Sequence, residues 1–119
     1  MTFVFTNDIH TCNMGAGLSP NCKQEGKTEA NLRRHIAAIN NVQTHVWPQE
    51  IVGATSELAG AGQLIAAPRG VIIGGDMTDD GGGQVALPHE GPQLQQFDRL
   101  YRQGTETERV HFPVGVAPV

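Results

Sequence analysis

Three short apolar runs punctuate the chain, and a stretch with helical spacing lies between each pair of them. Residues 2 to 7 (Thr2-Phe3-Val4-Phe5-Thr6-Asn7) form an apolar-rich run of the kind found in a buried first strand. Gly15, Gly17, Pro20, Asn21 and Gly26 break any period over residues 11 to 27, which reads as a loop. From Thr28, a natural N-cap followed by Glu29, the positions Leu32, Ile36 and Ile39 fall on one helical face, opposite Arg33 and Arg34. Pro48 limits that helix, whose end is expected between Asn41 and Trp47. Residues 50 to 67 are rich in Ala and Gly and read as either a short helix or an ordered loop.

Pro68-Arg69-Gly70 is a turn that launches a second strand, Val71 to Gly74. After Gly81-Gly82-Gly83, a second helix is expected from about Pro92 to Gly104, with Leu94, Phe97, Leu100 and Tyr101 as its buried face. Val110, Phe112, Val114 and Val116 alternate as a third strand, which Pro113 and Pro118 weaken or place at an edge. The order β-α-β-α-β predicts an α/β fold with a mostly parallel sheet.

At 119 residues the chain is one domain or part of a larger one. Its 15 glycines and low aromatic content suit a loop-rich α/β fold better than a β-sandwich. The balance of 8 basic against 12 acidic residues, with no basic run, argues against a phosphate-neutralising nucleic-acid patch. No apolar stretch is long enough to span a membrane. Strand-like sequence begins almost at once, so no signal peptide is expected. Cys12 and Cys22 can form a local disulfide if the chain is exported, or stand as two thiols, which leaves the compartment open.

The candidate chemistry lies where the first two strands end. Asp8-Ile9-His10 follows the first, and Gly75-Asp76-Met77-Thr78-Asp79 follows the second. On an extended chain, residues i and i+2 point the same way, so Asp8 and His10 converge if strand geometry persists past Asn7. Open α/β sheets bind ligands beyond the carboxyl ends of their strands, and Asp76 stands at that position. If the two strands are neighbours, Asp8, His10 and Asp76 meet at one rim as mixed oxygen and nitrogen ligands, a set suited to Zn, Mn or Fe.

Read separately, each motif has a plainer explanation: a strand-end turn with a solvated histidine, and a polar turn before glycines. His35 and His45 read as surface or structural residues, His89, which follows the glycine loop, as structural or solvated, and His111, alternating with Phe112 on the third strand, as structural. Gly81 to Gly83 lacks the Lys-Ser/Thr of a P-loop and reads as a flexible loop.

Taken together and in order, Asp-x-His and Gly-Asp-x-x-Asp resemble the opening half of the calcineurin-like metallophosphoesterase family. The resemblance implies a layered α/β sandwich and a dinuclear site of Mn, Fe or Zn. In it Asp8 and His10 would bind the first ion, Asp76 would bridge both, and Asp79 would give hydrogen-bonding support. It also implies hydrolysis of a phosphate mono- or diester by a metal-bound hydroxide.

The chain departs from the family pattern in having no Gly-Asn-His after the third strand and no Gly-His-x-His. Residues 1–119 therefore resemble the N-terminal portion of such a domain, incomplete at its C-terminus. No catalytic residue beyond the ligands is assigned, at most one ion is expected, and activity is expected to be weak or absent. An apolar sheet face left uncovered would favour self-association. The alternatives are a non-catalytic metal-binding or partner-dependent α/β module and, less strongly, a nucleotide-binding domain using the loop after Asp76.

Overall fold

The computed structural model describes residues 1–12, 27–77 and 93–116. The first apolar run forms strand β1 (Val4–Thr6), followed by helix α1 (Lys27–Asn40). A single 3-10 turn, Val42–Thr44, leads to two short strands, β2 (Glu50–Ile51) and β3 (Ala54–Thr55). Strand β4 (Val71–Ile73), helix α2 (Gln93–Tyr101) and strand β5 (Val114–Val116) complete the order. The chain is a mixed α/β protein in which β1, β4 and β5 form a parallel three-stranded sheet with β4 at its centre. Val4 pairs with Val71 and Val71 with Val114, so the three strands end at one rim.

Sheet alternation separates two faces. Val71 and Ile73 are fully buried and pack with Leu32, Ile36 and Ile39 of α1 and Phe97, Leu100 and Tyr101 of α2. Their neighbours in register point the other way. Phe5 is 70% exposed and Ile72, directly across from it, is 41% exposed. Burying that missing contact area against something else would be favourable, at roughly 25 cal/mol per Å² of apolar surface.

α1 begins one residue before the expected N-cap. Thr28 lies inside the helix, buried, and its hydroxyl donates to Cys12 Sγ at 3.2 Å. Cys12 is disulfide-bonded; Cys22, the chain's only other cysteine, lies outside the described residues. The helix ends at Asn40, just ahead of the expected window, where the amide group of Asn41 donates to the Ala37 carbonyl at 2.8 Å and closes the last turn. Glu29 links the two helices through Arg99 (2.5 Å), and Arg33 reaches Glu108 in the segment before β5 (2.6 Å).

Residues 50 to 67 form no helix; the ordered loop expected as the alternative contains a short hairpin. β2 and β3 pair antiparallel around Val52 and Gly53, whose φ angles of 51° and 76° are those of a tight I′ hairpin turn. Gly53 supplies one of those left-handed positions freely, while the branched Val52 takes the other under strain. Trp47 continues the ribbon through backbone bonds to Gln63 and Gly62.

The third strand is shorter than the alternation from Val110 suggests. Pro113 has no N–H to give the ladder, but its carbonyl accepts from Val71 at 2.8 Å, and pairing proper starts at Val114. Val110 is fully buried outside the strand, in a bridge with Gln103. His111, expected on that strand, lies exposed in the turn before it, with its backbone N–H donating to Asn40 Oδ1 at 2.9 Å. No helix among the described residues is long and apolar enough to cross a membrane.

Candidate metal centre

Strand pairing between β1 and β4 stops at Thr6 and Ile73, but hydrogen bonding continues beyond it. Gly74 N donates to Thr6 O (2.8 Å), Asp8 N to Gly75 O (3.0 Å), His10 N to Asp76 O (2.9 Å) and Thr11 N to Met77 O (2.9 Å). Two residues advance on the β1 side, from Asp8 to His10, while one advances on the β4 side, from Gly75 to Asp76. The extra residue is Ile9, which is 7% exposed and belongs to the hydrophobic core. Gly74 allows the close approach: a Cβ there would lie 3.3 Å from both Asn7 Cβ and Phe5 Cζ.

The backbone at this point corrects the expectation that extended geometry carries Asp8 and His10 to one side. Both adopt left-handed conformations, with φ of 55° and 51°, and Asp76 does the same at 49°. Ile9 turns inward between them as an anchor, and the two polar side chains turn outward. Left-handed backbone costs a residue with a Cβ about 1–2 kcal/mol. Residues held so are concentrated at functional sites, where the surroundings enforce them.

The three side chains predicted as ligands do meet. One carboxylate oxygen of Asp8, one of Asp76 and a ring nitrogen of His10 lie within 4.8 Å of one another, and His10 Nε2 is 3.7 Å from Asp8 Oδ1. Donors on a transition-metal ion stand about 2.0–2.2 Å from it, hence at most about 4.4 Å from each other. Three donors on one ion stand closer still, about 3–3.6 Å apart for neighbours, so side-chain rotation must draw the set together; the side chains of His10 and Asp8 are 44% and 57% exposed. Two carboxylates and an imidazole suit a divalent ion of the Mn, Fe or Zn kind. Among the described residues no other group of three such donors is present. Asp79, the expected supporting residue, and His89 lie outside the described residues.

Below the rim, His35 of α1 joins the ligand-bearing strand to α2. Its Nδ1 is 2.9 Å from Tyr101 Oη and its Nε2 3.5 Å from Thr6 Oγ1. Burial pushes the imidazole below its ordinary 6.5 and raises the Tyr101 phenol above its usual range, because each charged form would lose solvation. His35 is thus a structural histidine. Sequence reasoning missed Ile9 and Thr11; Ile9 had the weak signal of a lone aliphatic between two polar residues, and Thr11 had none. A cleft of about 330 Å³ between α2 and β5, lined by Phe97, Tyr101, Arg102 and Val114, contains none of the three donors.

No protein-family model, curated protein or solved structure matches the chain.

Proposed function

We propose that Asp8, His10 and Asp76 hold a divalent metal ion and form one side of the site of a metal-dependent phosphoesterase. The observation that carries this reading is the convergence of three metal-ligand atoms, from the ends of two adjacent parallel strands, within 4.8 Å. The left-handed backbone of all three residues supports it, since three strained positions at one rim are costly without a function to retain them. The order and spacing of the two motifs add the resemblance to metallophosphoesterases.

A divalent ion in such a site supplies Lewis acidity, lowering the pKa of water and polarising a phosphoryl oxygen. The protein's own part is electrostatic and geometric. Two carboxylates side by side repel a phosphate ester, so substrate can approach only where a cation offsets their charge. Asp8 and Asp76 would hold that cation, with the His10 ring nitrogen as the third donor, and protons compete with an ion for such donors. The same electrostatics disfavours metal-free nucleotide binding at the loop after Asp76. Three donors fill only part of an ion's coordination sphere, and weak or absent turnover is the expected behaviour of residues 1–119 by themselves.

A non-catalytic or partner-dependent metal-binding module is the second reading. It is favoured by the presence of a single donor group among the described residues, where the phosphoesterase pattern calls for two ions. Metal content after loading and dialysis, combined with a nitrophenyl-phosphate assay on wild type and Asp76→Ala, tests both. Bound metal that is lost in Asp76→Ala, with turnover lost alongside it, is expected for the phosphoesterase. Metal binding without turnover leaves the metal-binding module as the sufficient description of residues 1–119 by themselves. Hydrolysis that survives Asp76→Ala, or a wild-type chain that takes up no ion, overturns the site.

A further inference from the structure

We propose that Thr11 is a positioning residue for the ion site, setting the separation of His10 from Asp76 through its side-chain hydroxyl. The inference rests on the reading of Asp8, His10 and Asp76 as ligands and adds a residue that the motif does not contain.

Thr11 is fully buried, which is uncommon for a threonine, while His10 before it is partly exposed. Its backbone N–H and its Oγ1 both donate to the carbonyl of Met77, at 2.9 and 3.0 Å. A carbonyl oxygen accepts two such bonds, so one residue uses both of its lone pairs. Thr11 follows His10 and Met77 follows Asp76, so this double bond joins the two positions immediately beyond two ligands on different strands. On the next residue, the disulfide-bonded and buried Cys12 accepts from Thr28 of α1, which fixes the chain leaving the site.

The hydroxyl matters because the ligands sit in left-handed backbone that the chain does not favour on its own. A single N–H bond to Met77 would leave the peptide plane of Thr11 some freedom to rock about that contact. The second bond, from the same residue to the same oxygen, removes that freedom and with it the freedom of the His10 and Asp76 side chains to drift apart. Outer-shell groups of this kind typically contribute tenfold to a hundredfold in metal affinity when they orient a ligand, against a small effect on folding when they do not, of order one hydrogen bond.

Calorimetric titration of the full chain with Mn²⁺ and with Zn²⁺ is the test, on wild type, Thr11→Val and Thr11→Ser. Thr11→Val keeps the shape and the backbone bond and removes only the hydroxyl; it is expected to bind roughly ten to a hundred times more weakly. Thr11→Ser restores the hydroxyl and is expected to bind close to wild type. Wild-type affinity in Thr11→Val overturns the assignment, and so does a Thr11→Ser variant as weak as Thr11→Val, since the hydroxyl would then not restore binding. If Thr11→Val does not fold, hydrogen exchange on wild type decides: metal is expected to slow exchange of the His10 and Thr11 amides, and unchanged rates overturn the role. A wild-type chain that binds neither ion overturns the ligand reading and this inference together; a binding wild type with an indifferent Thr11→Val overturns this inference alone.

Discussion

Removing a ligand should make the metal-free chain more stable, and Asp76→Gly is the cleanest case. Asp76 holds a φ of 49°, a conformation that glycine adopts freely. Relief of left-handed backbone is worth about 1 kcal/mol at the lower end of its range. Glycine returns about 0.5–1 kcal/mol of that through the greater freedom of the unfolded chain. The second contribution is the carboxylate pair. Taken at 4.8 Å, the outer limit of the donor separations, two unit charges in water repel by roughly 0.9 kcal/mol, and salt at physiological strength leaves about half.

The sum is a gain of about 0.5–1 kcal/mol, or ~2–5 °C in a chain of this size. Asp76→Asn keeps a residue that tolerates left-handed backbone and isolates the charge contribution, about 0.5 kcal/mol. Urea unfolding followed through Trp47, the only tryptophan, measures both in the presence of a chelator. With metal at about one hundred times its Kd, wild type gains roughly 2.7 kcal/mol and the order inverts. Most substitutions destabilise, so the sign is discriminating. An Asp76→Gly chain that is less stable than wild type in chelator, or that gains as much from metal, would refute the reasoning.

Three further outcomes follow from other parts of the fold. Because burial lowers the His35 pKa, the unfolded chain takes up that proton first as pH falls below the ordinary 6.5; stability is full above it and declines as pH drops through the folded value. Urea midpoints across that range should show a slope that flattens in His35→Gln, and an unchanged slope would exclude His35 as its source. Ile9→Val should cost about 0.5–1.5 kcal/mol and weaken metal binding together, since the same side chain fills the core and spaces the ligands; a stability loss with unaltered affinity would separate the two roles. Phe5→Lys should leave the urea midpoint nearly unchanged, because the ring is 70% exposed, yet lower any concentration-dependent association seen by sedimentation.

The meeting of Asp8, His10 and Asp76 was legible because each motif follows an apolar run, and because a helical stripe between the runs predicts parallel neighbours. The same stripe, Leu32, Ile36 and Ile39, is buried as its spacing indicates. How the donors converge was not legible. Left-handed backbone is announced by glycine, and here it falls on Asp and His, whose local preference is outvoted by burial of Ile9 and by bonds to residues far along the chain. The hairpin around Val52 and Gly53 escaped for a similar reason, since a branched residue occupies the position where Asn or Asp usually signals the turn. His111 was misread because alternation alone does not register that Pro113 cannot donate to a ladder. Metal occupancy itself is a proposal, which the convergence supports.

Among the described residues β1 is an outer strand of only three residues, and two of the three donors follow it, while the third follows the central strand. An ion held by them would be a reversible cross-link between an outer strand of the described sheet and its central one. Short outer strands are the pieces that neighbouring molecules trade. If the proposed ion is bound, divalent cation would set more than site occupancy: it would slow the release of β1 from its own sheet, and with it any exchange of strands between copies.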